Sequence, residues 1–326
     1  MQTFNVKNVS EALWVVKQAI KEEGRLVQTR NGDALEFTGP VITKYRNSRQ
    51  RVIFYPERDA NPFFHLMESL WMLAGRNDVE WISQFNHRIE EYSDDGDVFH
   101  GAYGFRWREW FGDDQLETAL QRLALYENDR RTVVGMWDPW EDLRVDNGGK
   151  DYPCNTQIFF WKRDEKLHMT VVNRSNDMIW GAYGANAVHM SFLLEYMAGK
   201  LKLKVGDYYQ FSNNLHAYTD VLYKLDDMQP DYDPYLTLSD QGLSYTSPYL
   251  IDNPDTFDSE LKDWFVQKIY HKVYENKYLE TTCDPVRKAW SLWKNKHPLK
   301  AIEECYTIED RAWRRACIEW LERKLK

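Results

Sequence analysis

The sequence predicts an α+β fold, in which helices flank a β-sheet and a mainly helical region follows. Residues 153–173 hold two β-prone runs around a polar stretch, which is the pattern of a hairpin. Residues 187–200 form a long apolar segment typical of a buried helix. From Phe257 to the end the pattern is again helical and rich in tryptophan. We therefore divide the chain into a core, 1–225, and a mainly helical C-terminal region, 226–326.

The N-terminal elements each have a local signal. Apolar residues recur at helical spacing over 9–22, and this predicts an amphipathic helix capped by Ser10. The turn signal Asn31-Gly32-Asp33 predicts that Thr29–Pro40 is a loop entering a strand.

The next helix has the clearest signals. Asn61 can cap it, the run 63–73 is strongly apolar, and Gly75 can end it. Glu68 lies on the same face of this helix as Trp71, since the two are three residues apart. A carboxylate on an apolar face is either paired or kept protonated by desolvation, so Glu68 is a candidate functional residue.

Further along the chain, 115–126 reads as another helix and 207–211 as a strand. Residues 226–256 mix Asp, Pro, Ser and Tyr in a pattern typical of loops.

The composition is that of an ordinary globular protein. Among 326 residues, 43% are hydrophobic, and 42 basic against 51 acidic residues give a net charge of −9. This charge argues against nucleic acid or an anionic membrane as a partner of the whole surface. No apolar run approaches the ~18–20 residues that cross a bilayer, and the N-terminus lacks the pattern of a signal peptide. The cysteines show no CxxC pairing, so we expect no metal site and a reducing, cytoplasmic compartment.

Cys154 and several arginines are the candidates for chemistry. Cys154 follows Pro153 at the entrance to a strand, where a buried, inert thiol is the commoner outcome. As a nucleophile it needs a cation that lowers its pKa, and Arg174, across the predicted hairpin, could supply the charge. The polar segment that begins at Arg174 also resembles a strand-end loop that grips a phosphate dianion.

Seven motifs, in this order, resemble the thymidylate synthase family, including its nucleotide hydroxymethylase branch. They are Arg30-Asn31-Gly32; the run Glu68–Ile82; Tyr103-Gly104 with Arg106-Trp107-Arg108; Arg130-Arg131 followed by Met136-Trp137-Asp138-Pro139; Pro153-Cys154; Arg174-Ser175-Asn176-Asp177; and Gly206-Asp207 with His216 and Tyr218. The resemblance runs from Arg30 to Tyr218 and implies a thymidylate synthase-like sheet flanked by helices.

The resemblance implies a catalytic set and a substrate set. Cys154 would add to C6 of a pyrimidine ring, Glu68 would organise water and move protons, Asp177 would face the folate, and Tyr103 completes the catalytic set. The substrate-binding residues implied are Arg30, Arg174 and Ser175 for the 5′-phosphate, Arg130 and Arg131 for the phosphate of the other subunit in a homodimer, Asn186 for the base, and His216 and Tyr218 for the deoxyribose. The implied co-substrate is 5,10-methylenetetrahydrofolate, and no metal is implied.

Departures from the family pattern favour a hydroxymethylase. Ile89–Tyr92 lacks the tryptophans that stack on folate, and the final segment, Leu321–Lys326, lacks the small apolar tail that closes a synthase. A wetter site lets water, rather than hydride, add to the exocyclic methylene on the base. Such enzymes occur in phages, so a phage source would fit. A methylating synthase is the alternative, and then Trp313 or Trp320 are candidates for the surface that seals the folate.

Two further alternatives stay open. Asn155 stands where many synthases carry His, and Asn186 stands one residue later than the family's base-reading Asn. The amide of Asn186 nominally favours uracil, but the shift leaves dUMP and dCMP as nearly equal candidates. In a different class, the chain could be an inactive family member that only binds nucleotide.

Overall fold

The computed structural model describes residues 1–144, 148–229, 235, 247–266 and 273–325. Much of the predicted loop between 226 and 256 therefore lies outside the described residues, and the division of the chain near 225 stays a prediction. In the described part of the chain, no helix is both long and apolar enough to span a membrane.

A six-stranded sheet forms the centre of the protein, in the order β1-β4-β9-β7-β6-β5. The bounds are Gln2–Val6 (β1), Val41–Tyr45 (β4), Val133–Gly135 (β5), Asn155–Arg163 (β6), Lys166–Asn173 (β7) and Lys204–Ser212 (β9). β6 and β7 form the predicted antiparallel hairpin. It turns at Asp164 and Glu165, which both adopt positive φ.

A second, four-stranded sheet has the order β2-β3-β10-β8. Its strands are Arg25–Thr29 (β2), Gly32–Glu36 (β3), Asn176–Asp177 (β8) and Leu215–Tyr218 (β10). The predicted turn at Asn31 joins β2 to β3, so this stretch is a hairpin rather than a loop entering a single strand.

The helices surround these sheets. Their bounds are Val9–Glu23 (α1), Pro62–Leu73 (α2), Val79–Ser83 (α3), Tyr103–Arg108 (α4), Gln115–Leu125 (α5), Asn186–Lys200 (α6), Thr219–Leu222 (α7), Phe257–Val266 (α8), Asp284–Lys294 (α9), Pro298–Cys305 (α10) and Arg311–Leu325 (α11). A π-helical segment, Met178–Ala185, leads directly into α6. The predicted helices at 9–22, 63–73, 115–126 and 187–200 are confirmed to within two residues.

The caps are a finer test of the sequence. Asn61 caps α2 as predicted, because its side chain accepts the backbone N–H of Phe64 at 3.1 Å. Ser10 was the wrong cap for α1. Asn8 holds that place and accepts the N–H of Glu11 at 3.0 Å, while Ser10 is buried inside the helix.

Helix α6 occupies the middle of the core. It packs on β7 and β9 on one side and on α2 on another, and nearly all of its residues are buried. The C-terminal helices pack on the outer side of α2, where Phe63 contacts the rings of Trp290 and Trp320.

The C-terminal tryptophans are core residues. Trp313 is 1% exposed and Trp320 is 8% exposed. Trp313 packs against Phe192 of α6. The expectation that Trp313 or Trp320 could form a surface over a ligand was therefore wrong, because their rings are used to join the C-terminal helices to the core.

Candidate active site

The hairpin of β6 and β7 brings Cys154 and Arg174 together. The strands pair Asn155, the first residue of β6, with Asn173, the last residue of β7. Cys154, which precedes β6, therefore lies beside Arg174, which follows β7. The backbone N–H of Arg174 donates to the carbonyl of Cys154 at 3.0 Å. The two residues predicted to meet across the hairpin do so.

The Arg174 side chain is held in a partly buried position. Its Nε donates to the carbonyl of Pro153 at 3.1 Å, and its guanidinium carbon lies 5.2 Å from the centre of the Trp137 ring. These contacts use only some of the guanidinium donors, so others remain available to an anion. Ser175 follows directly and is partly exposed.

The environment of the Cys154 thiol differs from the prediction in one respect. Burial raises its pKa above the usual value; the cation of Arg174 opposes this, and the carboxylate of Asp177 adds to it. Arg174 does lower the pKa, as expected, but the cost of desolvating a thiolate outweighs that attraction. In the free protein Cys154 is therefore a protonated thiol.

Tyr103 lies at the centre of this cluster. Burial raises its pKa, and so does the Cys154 thiol, whereas a hydrogen bond with the backbone of Asn155 and the charge of Arg174 lower it. Glu68 acts on Tyr103 as well. Tyr103 at the start of α4 thus lies within electrostatic reach of the thiol, the guanidinium and the Glu68 carboxylate.

Glu68 projects from α2 towards α6. Its Oε2 lies 3.0 Å from Nε2 of His189. Both atoms are buried, and neither has an aligned hydrogen bond with another described residue. The contact thus has the distance of a hydrogen bond without its geometry.

Asp177 and His216 meet because the short strands β8 and β10 pair them directly. Oδ1 of Asp177 accepts the backbone N–H groups of Ile179 and Trp180 and so caps the π-helical segment. Its Oδ2 is buried and has no hydrogen-bond partner in the part of the chain that the structure describes. Burial raises the pKa of Asp177, and the N–H of Trp180 opposes this.

His216 is also in a desolvated position. Burial lowers its pKa, while the carboxylates of Asp177 and Glu36 oppose that shift. Its Nδ1 lies 2.8 Å from Oδ1 of Asn214, and its ring packs edge-on against Tyr218. The predicted pair thus points to one side of β10.

The turn between β2 and β3 reaches the same place. Nδ2 of Asn31 donates to the hydroxyl of Tyr218 at 3.2 Å. Arg30, the neighbour of Asn31, is exposed at the tip of this turn. Arg30 thus lies beside the sugar-binding residues that the sequence predicted.

Asn186 is placed by an irregular helix. The segment before it is π-helical, and the N–H of Asn186 donates to the carbonyl of Gly181, five residues earlier. The backbone is non-helical at Tyr183 and Gly184, so the segment is kinked just before Asn186. Its Nδ2 donates to Oδ1 of Asn176 at 3.0 Å, so the amide lies next to the Asp177 loop.

Arg130 and Arg131 do not join this cluster within one chain. Both are exposed on the connection between α5 and β5. The geometry of a single chain leaves their predicted role, at the site of another subunit, as a prediction.

Sequence reasoning missed His189, Trp180 and Arg58. Arg58 is 6% exposed, its Nε donates to the carbonyl of Ile179 at 2.9 Å, and burial lowers its pKa to about 10. Its guanidinium carbon lies 4.3 Å from the centre of the Trp180 ring, and Trp180 is 50% exposed. In the sequence, Arg58 is a charged residue before a helix cap and Trp180 is an apolar residue after Asp177. Neither pattern predicts that the two residues are in contact.

Among the described residues, no group of three His, Cys, Asp or Glu side chains could hold a metal ion. We call the region around Cys154, Tyr103, Glu68, Arg174 and Asp177 the cleft.

Comparison with known proteins identifies the family. The sequence profile of the family described as thymidylate synthase matches residues 14–263. A deoxyuridylate hydroxymethyltransferase of Pseudomonas phage M6 is 42% identical over an alignment that covers 99% of this chain and 95% of that protein. A deoxyuridylate hydroxymethyltransferase of Bacillus phage SP01 is 35% identical, over 68% of this chain and 60% of that protein. A putative thymidylate synthase of Methanothermobacter marburgensis is 27% identical, over 66% of this chain and 92% of that protein. Because the family profile covers most of the sequence and one relative aligns over almost all of it, the chain belongs to the thymidylate synthase family.

Proposed function

We propose that this chain transfers a one-carbon unit from 5,10-methylenetetrahydrofolate to C5 of deoxyuridine monophosphate, and that water completes the reaction to give the 5-hydroxymethyl nucleotide. The observation that carries this proposal is the similarity to the phage M6 deoxyuridylate hydroxymethyltransferase, which extends over 99% of the chain. This alignment includes the C-terminal helices as well as the residues of the cleft. The cleft supplies a thiol, a guanidinium and two carboxylates suited to this chemistry.

Cys154 starts the reaction as a thiolate that adds to C6 of the pyrimidine. The electron pair of the C5–C6 bond moves towards the C4 carbonyl, and C5 becomes nucleophilic enough to attack the methylene carbon of the folate. Loss of the C5 proton and departure of tetrahydrofolate leave an exocyclic methylene on the base. Because burial keeps the resting thiol protonated, its proton has to leave as substrate binds.

Water then adds to that methylene carbon, and its proton goes to a base. Glu68 is the base that we propose, since it reaches the cluster around Tyr103. The ring electrons shift to the C4 oxygen and then expel the Cys154 thiolate from C6. The products are the 5-hydroxymethyl nucleotide and tetrahydrofolate.

The amide of Asn186 supports uracil as the base. One of its two N–H groups is used by Asn176, at 3.0 Å. The other N–H can donate to O4 of uracil, and the amide oxygen can accept N3–H. Cytosine offers an amino donor and an unprotonated N3 at these two positions, so the same amide fits it less well.

Arg174, Ser175 and Arg30 are the proposed ligands of the 5′-phosphate. Arg174 is held by backbone carbonyls with some of its donors free, and Arg30 stands at the exposed turn beside Tyr218. Guanidinium groups bind phosphate oxygens through paired, charge-assisted hydrogen bonds.

An apolar sheet face supports the proposal of a homodimer. Residues that alternate with the buried ones on β6, β7 and β9 are large and only partly buried; they include Phe159, Trp161, Val172, Tyr209 and Phe211. A sheet face with such residues normally packs against another layer. A second copy of the chain would provide that layer, and Arg130 and Arg131 lie at the β5 edge of this sheet, where they could reach the partner's phosphate site.

The nucleotide and folate substrates point to the cytoplasm of a host cell as the place of the reaction. The similarity to phage proteins supports a phage source for the chain.

The product decides between the possible functions. The enzyme is incubated with methylenetetrahydrofolate and either dUMP or dCMP in heavy-oxygen water. The expected result is a hydroxymethyl product from dUMP that carries the label, with no rise in dihydrofolate absorbance. An unlabelled methyl product with stoichiometric dihydrofolate would make the chain a methylating synthase. Nucleotide binding without release of the C5 hydrogen would make it an inactive binder.

The shared site has its own experiment. A Cys154→Ala chain and an Arg131→Ala chain are each expected to be inactive or weak alone. Mixed subunits should recover part of the activity, because one of the two hybrid sites contains both intact residues. A strictly monomeric mass by light scattering would contradict the homodimer.

A further inference from the structure

Glu68 and His189 form a buried contact that the proposed reaction does not explain. Oε2 of Glu68 lies 3.0 Å from Nε2 of His189, and the side chains are 14% and 4% exposed. The two residues come from different helices, α2 and α6, which pack together in the core. Neither atom has an aligned hydrogen bond in the described structure.

A buried contact of this kind is energetically unfavourable unless a further group forms a hydrogen bond with the carboxylate. A buried carboxylate oxygen without a hydrogen bond loses its hydration and gains little in return. Purely structural carboxylates are normally satisfied by donors in the folded protein. The open geometry is therefore better explained by a partner that arrives with substrate, or by a small rotation that aligns the pair when the cleft is filled.

The His189 side chain is buried and packs against a second histidine. Its ring packs edge-on against His65, with the ring centres 6.3 Å apart. Burial keeps the pKa of His65 well below its usual value, and the charges of Arg58 and His189 act in the same direction. His65 is thus a neutral neighbour and does not compete as a cation for the Glu68 carboxylate.

We propose that His189 is a positioning residue for the water-addition step, in which its Nε2–H donates to one oxygen of Glu68 and leaves the other to face the attacking water. This inference rests on the proposed hydroxymethylation. As water forms the C–O bond with the methylene carbon, Glu68 accepts the water proton, and the ring electrons expel Cys154. His189 keeps its own proton throughout and only fixes the carboxylate.

Three substitutions of His189 separate this role from simple packing. Leucine removes the donor and keeps apolar volume. Glutamine is long enough to place an amide N–H near the position of Nε2. Asparagine has the same amide on a shorter side chain and falls short of that position. The His297→Gln variant is the control, because His297 is exposed at the start of α10, among the C-terminal helices.

Formation of labelled hydroxymethyl product is followed in heavy-oxygen water, with nucleotide binding measured separately. Since acid–base groups contribute about 10²–10⁴-fold to rate, we expect His189→Leu to lower kcat by about 10–100-fold. KM for dUMP and nucleotide binding should be nearly unchanged. His189→Gln should recover most of kcat and His189→Asn should not. In a Glu68→Gln background, His189→Leu should have little further effect.

The results that would overturn the role are distinct. Equal kcat for the glutamine and asparagine variants, or an unchanged kcat in His189→Leu, would show that the Nε2 donor is not used. These two polar variants keep the comparison valid even if the leucine variant fails to fold. If wild-type enzyme made an unlabelled methyl product, the proposed function itself would fail, and the water-positioning role with it.

Discussion

Two glutamates, one on helix α6 and one on the helix α2 that packs against it, differ in how their carboxylates are hydrogen-bonded. Glu195, on α6 itself, is 3% exposed. Arg51 donates to its Oε2, the backbone N–H of Leu250 donates to its Oε1 at 3.2 Å, and Nε of Arg49 lies 3.0 Å from Oε1. Burial alone would raise the pKa of Glu195, but Arg51 and Arg49 outweigh it and hold the pKa below the usual value.

Among the residues that the structure describes, Glu68, which lies on α2, has no such set of donors. Its buried Oε2 lies 3.0 Å from Nε2 of His189 and has no aligned hydrogen bond with any described residue. The difference shows how burial alone fails to distinguish a structural charge from a functional one. What distinguishes them is whether hydrogen bonds are completed within the described structure. Glu195 ties the segment at Leu250 to α6, whereas Oε2 of Glu68 has no aligned partner there, and we propose that substrate binding supplies one.

The prediction with the largest expected effect tests whether a residue of the cleft determines activity without contributing to stability. We expect Cys154→Ser to lose turnover by roughly 10⁴-fold or more, because loss of a nucleophile has effects of that order. Nucleotide binding and the free energy of unfolding should change little, since the phosphate ligands are other residues. Calorimetric titration with dUMP and a product assay check this. A serine variant that turns over nearly as fast as wild type would remove Cys154 from the mechanism.

The Glu68→Gln substitution should also affect activity far more than stability. We expect turnover to fall about 10²–10⁴-fold, the usual contribution of a general acid or base. The free energy of unfolding should stay the same or increase, because the change removes a buried charge without an aligned hydrogen bond. A urea unfolding curve and the product assay measure the two effects. A large loss of stability with normal turnover per folded molecule would reverse the comparison.

The matching substitution on the other side of the helix is Glu195→Gln. We expect it to lower the free energy of unfolding by about 3–5 kcal/mol, because it leaves the buried Arg51 guanidinium without its counter-ion. Turnover per folded molecule should be unchanged. Urea unfolding and active-site titration measure these two quantities. If the variant were as stable as wild type, the ion pair would not be what joins α6 to the Leu250 segment.

The sequence predicted the fold and most of the cleft because those features depend on local patterns. The strongly apolar run and the cap at Asn61 predict α2, and two β-prone runs around a polar stretch predict the β6–β7 hairpin that joins Cys154 to Arg174. His189 and Arg58 could not be found in this way. Each owes its role to a contact between elements far apart in the chain, and a lone His or Arg in an apolar segment has no periodic signal. The net pKa of Cys154 also depends on burial, which a motif does not report.

The next prediction concerns Trp180, a half-exposed residue on the open side of the cleft. Its ring lies on the buried Arg58 guanidinium and is half exposed beside Asp177. We expect it to stack on the folate, in place of the tryptophans missing from Ile89–Tyr92. Since aromatic pairs are worth about 0.5–1.5 kcal/mol, Trp180→Ala should raise KM for folate by about 3–10-fold and leave dUMP binding unchanged.

Two variants make the Trp180 result specific. Trp180→Phe should retain most of the folate affinity because it keeps an aromatic face. Trp140→Ala removes a tryptophan that is 80% exposed elsewhere on the surface and should have no effect. An equal rise in KM for folate and for dUMP would indicate a general disturbance of the cleft rather than lost stacking.

The smallest expected effect concerns the rate at which the free thiols react. Cys154 is partly exposed, whereas Cys283, Cys305 and Cys317 are buried, so alkylation by iodoacetamide should occur at Cys154. Because burial raises the pKa of Cys154 above its usual value, its thiolate is the minor form at neutral pH. The alkylation rate should therefore keep rising with pH above neutrality, and at pH 7 it should be lower than that of a free thiol in a peptide. Peptide mapping identifies the alkylated residue, Cys154→Ser is the control, and dUMP should protect. A rate that levels off below pH 8 would mean that Arg174 outweighs burial after all, and Cys154 would then resemble Glu195, a group whose charge the folded protein stabilises before any substrate binds.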